Sequence, residues 1–196
     1  LLSAGGGGGV RNDILEALRR EVYRRCQQPA NRVGMGCYDH IEAVVKNGVE
    51  LARKYGADEE IVAVAAWLHD IASVTDHSLY ELHHEHGAEM ARDILIQLGY
   101  DQEKIPLVQA CIRSHRGSVL VGKSSIEEIC VADADAISHF DSVPNLLYLA
   151  YVQKGMGLHE GKAFVQQKLR RSFEKLSLKS RRHYREKYER AMELLS

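Results

Sequence analysis

The sequence lacks any apolar stretch that could cross a bilayer. Its longest uninterrupted apolar run is the eight residues 61–68, whereas a membrane-spanning helix needs about 20. An excess of charge is missing too, because 26 basic residues stand against 27 acidic ones and the formal net charge is -1. We therefore expect a soluble protein without a general attraction to membranes or nucleic acid, in which a local site must hold any anionic ligand.

Proline and cysteine are also scarce. Only three prolines interrupt the 196 residues, and apolar side chains recur with the 3.6-residue period of helices almost throughout. The sequence therefore predicts an all-α protein, a bundle of helices. The scattered cysteines form no C-x-x-C pair, which favours reduced thiols and a cytoplasmic location. These cysteines are Cys26, Cys37, Cys111 and Cys130.

The chain is expected to hold a single domain. Residues 1–10 contain five consecutive glycines and predict a flexible tail that takes no part in the fold. Residues 11–196 then form one helical domain, since neither an internal repeat nor a linker divides them. Within this domain, chemically distinctive residues lie between 38 and 141, and further helices follow over 145–196.

Capping residues mark several helix boundaries. Asp39 is expected to cap the second helix and Asp58 the third, while Ser125 and Glu128 form the pattern of a capping box. The third helix is apolar on all sides, so it belongs in the centre of the bundle. The polar stretch that follows it, residues 73–80, is expected to be a loop.

Histidine is the residue that the sequence has in excess. A helical core tolerates polar side chains only where partners satisfy them, yet several occur on apolar helix stripes or at the ends of buried helices. They are His40, His69, Asp70, His86, His115 and Asp135. Imidazole and carboxylate together suit Mn, Fe, Co, Ni or Zn, and bundle interiors commonly hold such sites. The pattern predicts a site for a divalent metal.

Two positions in this set stay open on the residues alone. His83 and His84 are close enough to His86 to replace it as a ligand. Helical periodicity places Asp133, rather than Asp135, on the apolar stripe of its helix. The other histidines are expected to be ordinary surface or packing residues. They are His77, His139, His159 and His183.

The order of the four first ligands resembles that of the HD superfamily of metal-dependent phosphohydrolases. His40 comes first, His69-Asp70 follows an apolar helix in the run Ala-Ala-Trp-Leu-His-Asp-Ile, and Asp135 lies in Ala-Asp-Ala-Ile. The resemblance covers residues 38–141 and selects Asp135 as the ligand, with Asp133 as a supporting partner.

Two further segments resemble the extra histidines with which HD proteins hold a second ion. They are His86-Gly-Ala and Ile-Arg-Ser-His115. The resemblance implies an HD-type bundle, one or two divalent ions, and an enzyme that hydrolyses a phosphoester or phosphoanhydride through a metal-activated water. Asp70 and His115 would take part in catalysis, and Asp76 in the next polar stretch could orient water or protonate the leaving group.

The implied partner is a small phosphorylated molecule, commonly a nucleotide, and not a nucleic acid or a membrane. A homodimer is permitted by the sequence. Two other functions share the same ligands: a di-iron HD-type oxygenase that activates oxygen, and a non-catalytic ligand-binding HD protein. Iron-dependent redox activity would identify the first, and bound metal without turnover the second.

One motif points elsewhere. Residues 117–124, Gly-Ser-Val-Leu-Val-Gly-Lys-Ser, satisfy the P-loop pattern of nucleotide-binding proteins letter for letter. A P-loop needs a strand before it and a parallel sheet around it, but the preceding residues predict a helix. We therefore expect an exposed loop between helices, from which Arg116 and Lys123 could meet substrate phosphate.

Overall fold

A computed structural model describes residues 10–116 and 122–196, and these residues form ten α-helices and no strand. The all-α prediction is confirmed. The predicted tail lies outside the described residues except for Val10, and no described helix has the length and apolar character needed to cross a membrane. The helices are α1 (Asn12–Cys26), α2 (Gly36–Tyr55), α3 (Glu59–Leu68), α4 (Ile71–Thr75), α5 (His83–Gln97), α6 (Ile105–Ser114), α7 (Ile126–Asp141), α8 (Val143–Tyr148), α9 (Leu158–Lys175) and α10 (Leu178–Glu193).

Two of the predicted caps are present. The Asp58 carboxylate accepts hydrogen bonds from the backbone N–H groups of Glu60 and Ile61, at 2.9 and 3.1 Å. Ser125 and Glu128 form the reciprocal capping box at the start of α7. These bonds satisfy N–H groups that have no partner within their helices, so they fix where α3 and α7 begin.

Two local predictions are wrong. α2 begins at Gly36, so Asp39 lies in its first turn and does not cap it. The carboxylate still sits favourably at the positive end of the helix. The stretch 73–80 is not a simple loop, because α4 ends at Thr75 and a 3₁₀ turn follows over His77–Leu82. α4 forms because Ile71 and Val74 are buried in the core.

α3 lies at the centre of the bundle, as its uniform apolar character predicts. All of its residues from Glu60 to Leu68 are buried, and it packs against α1, α2, α6 and α7. α2 packs most extensively on α7 and α3. The burial of α3 on all sides places its C-terminal end inside the molecule rather than at the surface.

Gly48 brings α2 close to both of these neighbours. A Cβ atom at Gly48 would lie 3.0 Å from Val62 Cγ1 on α3 and 3.6 Å from Ala134 Cβ on α7. Ala66 is 3.9 Å away at the same crossing. Because Gly48 has no side chain, α2 lies close to both α3 and α7. Residues carried by these three helices also lie together at one end of the bundle.

We expect Gly48→Leu to lower the free energy of unfolding by about 1–3 kcal/mol, because the new side chain must push α3 and α7 away. Chemical denaturation followed by circular dichroism measures this. Gly36→Leu is the matched control, since nothing lies within 4 Å of a Cβ at Gly36 in the first turn of the same helix. Equal stability of the two variants would contradict the close-packing role of Gly48.

Candidate metal centre

Four polar residues meet at the C-terminal end of α3. His69 and Asp70 form the turn between α3 and α4, His40 projects from α2 and Asp135 from α7. His40 Nε2 lies 3.2 Å from Asp135 Oδ1, and His69 Nε2 lies 3.4 Å from Asp70 Oδ2 and 4.0 Å from Asp135 Oδ1. The structure therefore brings together the first four residues of the predicted set.

Two more histidines approach Asp70 from its other side. His83 is the first residue of α5, and His115 follows the last residue of α6. Their Nε2 atoms lie 3.3 and 3.8 Å from Asp70 Oδ1, and 3.2 Å from each other. Asp70 thus contacts His69 through Oδ2, and His83 and His115 through Oδ1.

His86 does not belong to this cluster, in contrast to the prediction. Its side chain is exposed, whereas His83 is buried. His86 lies three residues, or about 4.5 Å, farther along the helix axis than His83. His84 is buried, but its charged neighbour is Glu85, at 3.9 Å from Nε2, and not Asp70. Of the three neighbouring histidines, the structure places His83 at the centre.

Three of the rings share one orientation. In each, Nδ1 lies 2.6–2.7 Å from the backbone carbonyl oxygen three residues earlier, as seen for His69, His83 and His115. In the neutral form of each ring, a proton on Nδ1 donates to that carbonyl and leaves Nε2 as a free lone pair. All three Nε2 atoms point into the same small space around Asp70, as the distances above require.

These lone pairs lack protein donors. His69 Nε2 is buried without a hydrogen-bond partner in the described part of the chain. His83 Nε2 and His115 Nε2 face each other at 3.2 Å, which is repulsive for two lone pairs unless a proton or a cation lies nearby. A divalent ion satisfies both demands, so the residues present fit a metal site.

The possible ligand atoms fall into overlapping groups in which every atom lies within 4.8 Å of the others. One group is His40, His69 and Asp70, and a second is Asp70, His83 and His115. Because Asp70 belongs to both, the cluster could hold either one ion or two ions that share this carboxylate. A third group joins His40 and Asp135 to His139.

The electrostatics of the cluster favour a cation. Burial raises the pKa of Asp70, but the charge of His69 outweighs it and the pKa falls below its ordinary range. Burial lowers the pKa of His69, but Asp70 raises it to about 9. Burial, with His69, lowers the pKa of His115 to about 3. The Asp135 pKa also stays low, because Lys175 opposes the effect of burial. The cluster thus combines ionised carboxylates with a neutral imidazole at His115, whereas His69 holds a proton that a bound cation would displace.

Asp133 and Asp135 take different roles because residues two apart on a helix point about 200° apart. Asp135 faces the histidines, whereas Asp133 accepts hydrogen bonds from the backbone N–H of Ser177, at 2.9 Å, and from its hydroxyl. Asp133 therefore ties α7 to the start of α10. The HD-like motif selects Asp135 and agrees with this geometry. The apolar periodicity of α7 favours Asp133 and does not agree with it.

His139 is a neighbour of the site that the sequence did not reveal. Its buried ring stacks on that of His40, with ring centres 5.1 Å apart and planes at 15°. Its Nδ1 lies 2.9 Å from Ser172 Oγ on α9. Its spacing from Asp135, four residues along α7, was the available signal, because residues i and i+4 share a helix face.

The sequence also missed Lys175 on α9, whose Nζ lies 3.2 Å from Asp135 Oδ2. Lys168, seven residues earlier, is partly buried near the same carboxylate. Both lysines interrupt the side of α9 that carries buried Val165 and Leu169. Lysines at the edge of an apolar helix face were the available signal that a buried group of opposite charge lies nearby.

Three predicted residues lie away from the cluster. Asp76 is exposed, and its carboxylate accepts a hydrogen bond of 2.9 Å from the backbone N–H of Ser78, which starts the 3₁₀ turn. Arg116 binds Glu81 through the carbonyl oxygen and, at 3.7 Å, through the carboxylate. Lys123 is exposed. The structure thus places Asp76 in a turn outside the cluster, with its carboxylate bonded to that turn.

The P-loop pattern occurs in a different setting from that of P-loop proteins. Residues 117–121 lie outside the described residues, but the segment before them is α6 and the segment after them leads into α7. A P-loop requires a strand at the first of these positions. The helical context therefore agrees with the prediction of a connection between helices.

Comparisons with known proteins point to one family. Residues 37–139 match the HD domain. The chain is 31% identical over 126 residues to Ribonuclease Y of Enterococcus faecalis, which is 64% of this chain and 21% of that protein. It is 31% identical over 131 residues to Ribonuclease Y of Bacillus thuringiensis strain Al Hakam, covering 66% and 22%. The chain thus spans about a fifth of the length of these curated relatives.

Solved structures agree on the fold. Bacillus subtilis YpgQ is 20% identical with a TM-score of 0.71, over 95% of this chain and 94% of that one. A predicted HD superfamily hydrolase from an uncultured Thermotogales bacterium is 25% identical with a TM-score of 0.54, over 81% of this chain and 84% of that one. The family match covers more than half of the sequence and contains His40, His69-Asp70 and Asp135. The chain belongs to the HD domain family.

Proposed function

We propose that this protein is a metal-dependent phosphohydrolase that cleaves a phosphoester or phosphoanhydride of a nucleotide or another small phosphorylated metabolite. The observation that carries the proposal is the convergence of the Nε2 atoms of His69, His83 and His115 on the carboxylate of Asp70. Two relatives add support. The similar curated proteins are named ribonucleases, and YpgQ, with a TM-score of 0.70 in this form, has been crystallised in complex with ADP.

The proposed ligands divide around Asp70. His40, His69 and Asp135 would join it in holding one ion, and His83 with His115 would join it in holding a second. Mn, Fe, Co, Ni and Zn all suit this mixture of nitrogen and oxygen ligands. A bound divalent ion would supply a lowered pKa for a water molecule and polarisation of a phosphoryl oxygen.

The residues of this chain position and expose the reacting groups. The carbonyl bonds to Nδ1 hold the rings of His69, His83 and His115 with Nε2 inward, so no ring has to turn when a ligand binds. The side chain of Asp70 is 26% exposed while that of His69 is fully buried. A substrate would therefore approach the cluster from the side of Asp70.

Arg116 and Lys123 remain proposed contacts for substrate phosphate at the edge of the site. Arg116 directly follows His115, and its guanidinium would have to exchange Glu81 for the substrate. Asp76 is not part of the proposed mechanism, because its exposed carboxylate is occupied by the turn that it caps.

The proposal is tested by metal analysis of protein purified without chelators, followed by hydrolysis assays. The assay panel holds nucleotides, phosphomonoesters and a short RNA, since the curated relatives are named ribonucleases. We expect bound divalent metal and phosphate release from at least one class. Oxygen consumption with bound iron would favour the di-iron oxygenase, and metal without turnover would favour a ligand-binding protein.

We expect His69→Ala to release the ion held with His40, Asp70 and Asp135 and to abolish hydrolysis, while the helical circular dichroism spectrum persists. Its Nε2 has no other partner in the described structure, and bundle stability rests on apolar packing. His159→Ala is the matched control, because His159 is exposed at the start of α9. Full metal stoichiometry in His69→Ala would refute the assignment of this ligand.

We expect His83→Ala to release one metal equivalent and retain the other, because His40, His69, Asp70 and Asp135 still form a ligand set. His86→Ala should keep both equivalents, since His86 is exposed three residues along the same helix. Metal content after dialysis distinguishes the two. If His86→Ala loses the ion and His83→Ala does not, the sequence motif and not the structure identifies the ligand.

A further inference from the structure

α9 presents two lysines towards the metal centre. Lys168 and Lys175 are seven residues, or about two turns, apart, so their side chains leave the same face of the helix. Ser172 lies between them on this face and contacts His139 Nδ1, which places His139 against the same wall. The lysines thus flank the side of the cluster opposite to α5 and α6.

Lys175 contacts the cluster without blocking the inward oxygen of Asp135. Its Nζ lies 3.2 Å from Oδ2, whereas Oδ1 faces His40 and His69. An ammonium group has three N–H donors, and Asp135 accepts one of them. With a side chain 25% exposed, Lys175 keeps donors available to a ligand that enters beside Asp135.

Lys168 has no ion pair in the described part of the chain, although it is partly buried. Burial lowers its pKa, and the nearby carboxylates of Asp135 and Asp70 oppose this effect. Withdrawing a charged group from water is costly unless it has a partner. A partly buried lysine that faces a cluster of charges without a direct partner is therefore suited to an anion that arrives with the ligand.

We propose that Lys168 and Lys175 form an anion subsite for a second phosphate group, next to the phosphate held at the metal centre. The subsite rests on the proposed function and narrows its substrate class to molecules with at least two linked phosphates. Two divalent ions would exceed the charge of the Asp70 and Asp135 carboxylates by two, and that surplus would match one phosphate dianion, so the two lysine charges would exceed what a single phosphate requires. They match the additional charge of a diphosphate or triphosphate.

The test compares two unreactive probes on the metal-loaded protein. Methylenediphosphonate has two linked phosphate-like groups that water cannot separate, and methylphosphonate has one. Isothermal titration calorimetry measures both affinities, and metal content is determined before and after each titration. The variants are Lys168→Gln and Lys175→Gln. Arg170→Gln is the matched control, because Arg170 lies on the same helix but is exposed.

We expect Lys168→Gln and Lys175→Gln each to weaken methylenediphosphonate binding by about tenfold or more, as loss of a charge-assisted hydrogen bond implies. Methylphosphonate affinity should stay within about twofold, and Arg170→Gln should bind both probes as the wild type does. Unchanged diphosphonate affinity in Lys168→Gln, or an equal loss for both probes, would overturn the subsite. Metal loss in Lys175→Gln would remove Lys175 from it.

The same data separate the subsite from the hydrolase. A wild-type protein that hydrolyses phosphoesters but binds diphosphonate independently of Lys168 refutes the subsite alone. A protein without turnover whose diphosphonate affinity still depends on Lys168 refutes the hydrolase alone. If the wild type binds neither metal nor probe, both proposals fail.

Discussion

The ionised carboxylates of Asp70 and Asp135, held inside a helical bundle, impose the constraint on which the site depends. Removing a carboxylate from water is expensive unless positive charge or hydrogen-bond donors replace the solvent. His69 and Lys175 supply part of this compensation, with Nζ of the lysine 3.2 Å from Asp135. The Nε2 atom of neutral His115 cannot complete it, because the proton of this ring lies on Nδ1. A metal cation would compensate both the carboxylates and such a lone pair.

The fold meets this constraint by close approach of three helices. α3, buried from Glu60 to Leu68, ends within the protein, and Gly48 on α2 leaves no room for a side chain between α2 and its neighbours α3 and α7. His40, His69 and Asp135 therefore come from separate segments but share one end of the bundle. Their positions are fixed by apolar packing far larger in area than the site, which is why a ligand could be removed without loss of the helices.

The sequence predicted the helices, the centre of the bundle and four polar residues that the structure brings together, because each depends on local periodicity or on a spaced motif. Tertiary contacts decide the remaining points. The sequence motif selects His86 and leaves His83 as an alternative, whereas the structure brings His83 to Asp70 at the start of α5. Lys175 carries no local signal of its partner Asp135, 40 residues away in sequence. The prediction that Asp39 caps α2 was wrong because the helix begins earlier. The backbone turns at Gly34, with a φ of 74°, and α2 begins at Gly36.

The two sides of the cluster differ in a way that orients a substrate. α5 and α6 contribute imidazoles, of which His115 is kept neutral by burial, and neutral nitrogen donors hold metal ions without adding positive charge. α9 contributes lysines, which cannot bind metal while protonated but attract anions. A phosphorylated ligand with its terminal group at Asp70 would then extend towards Lys168 rather than towards His83. The direction in which the linked phosphates of the ligand extend would thus be set by the helices: α5 and α6 supply imidazole groups, and α9 supplies ammonium groups.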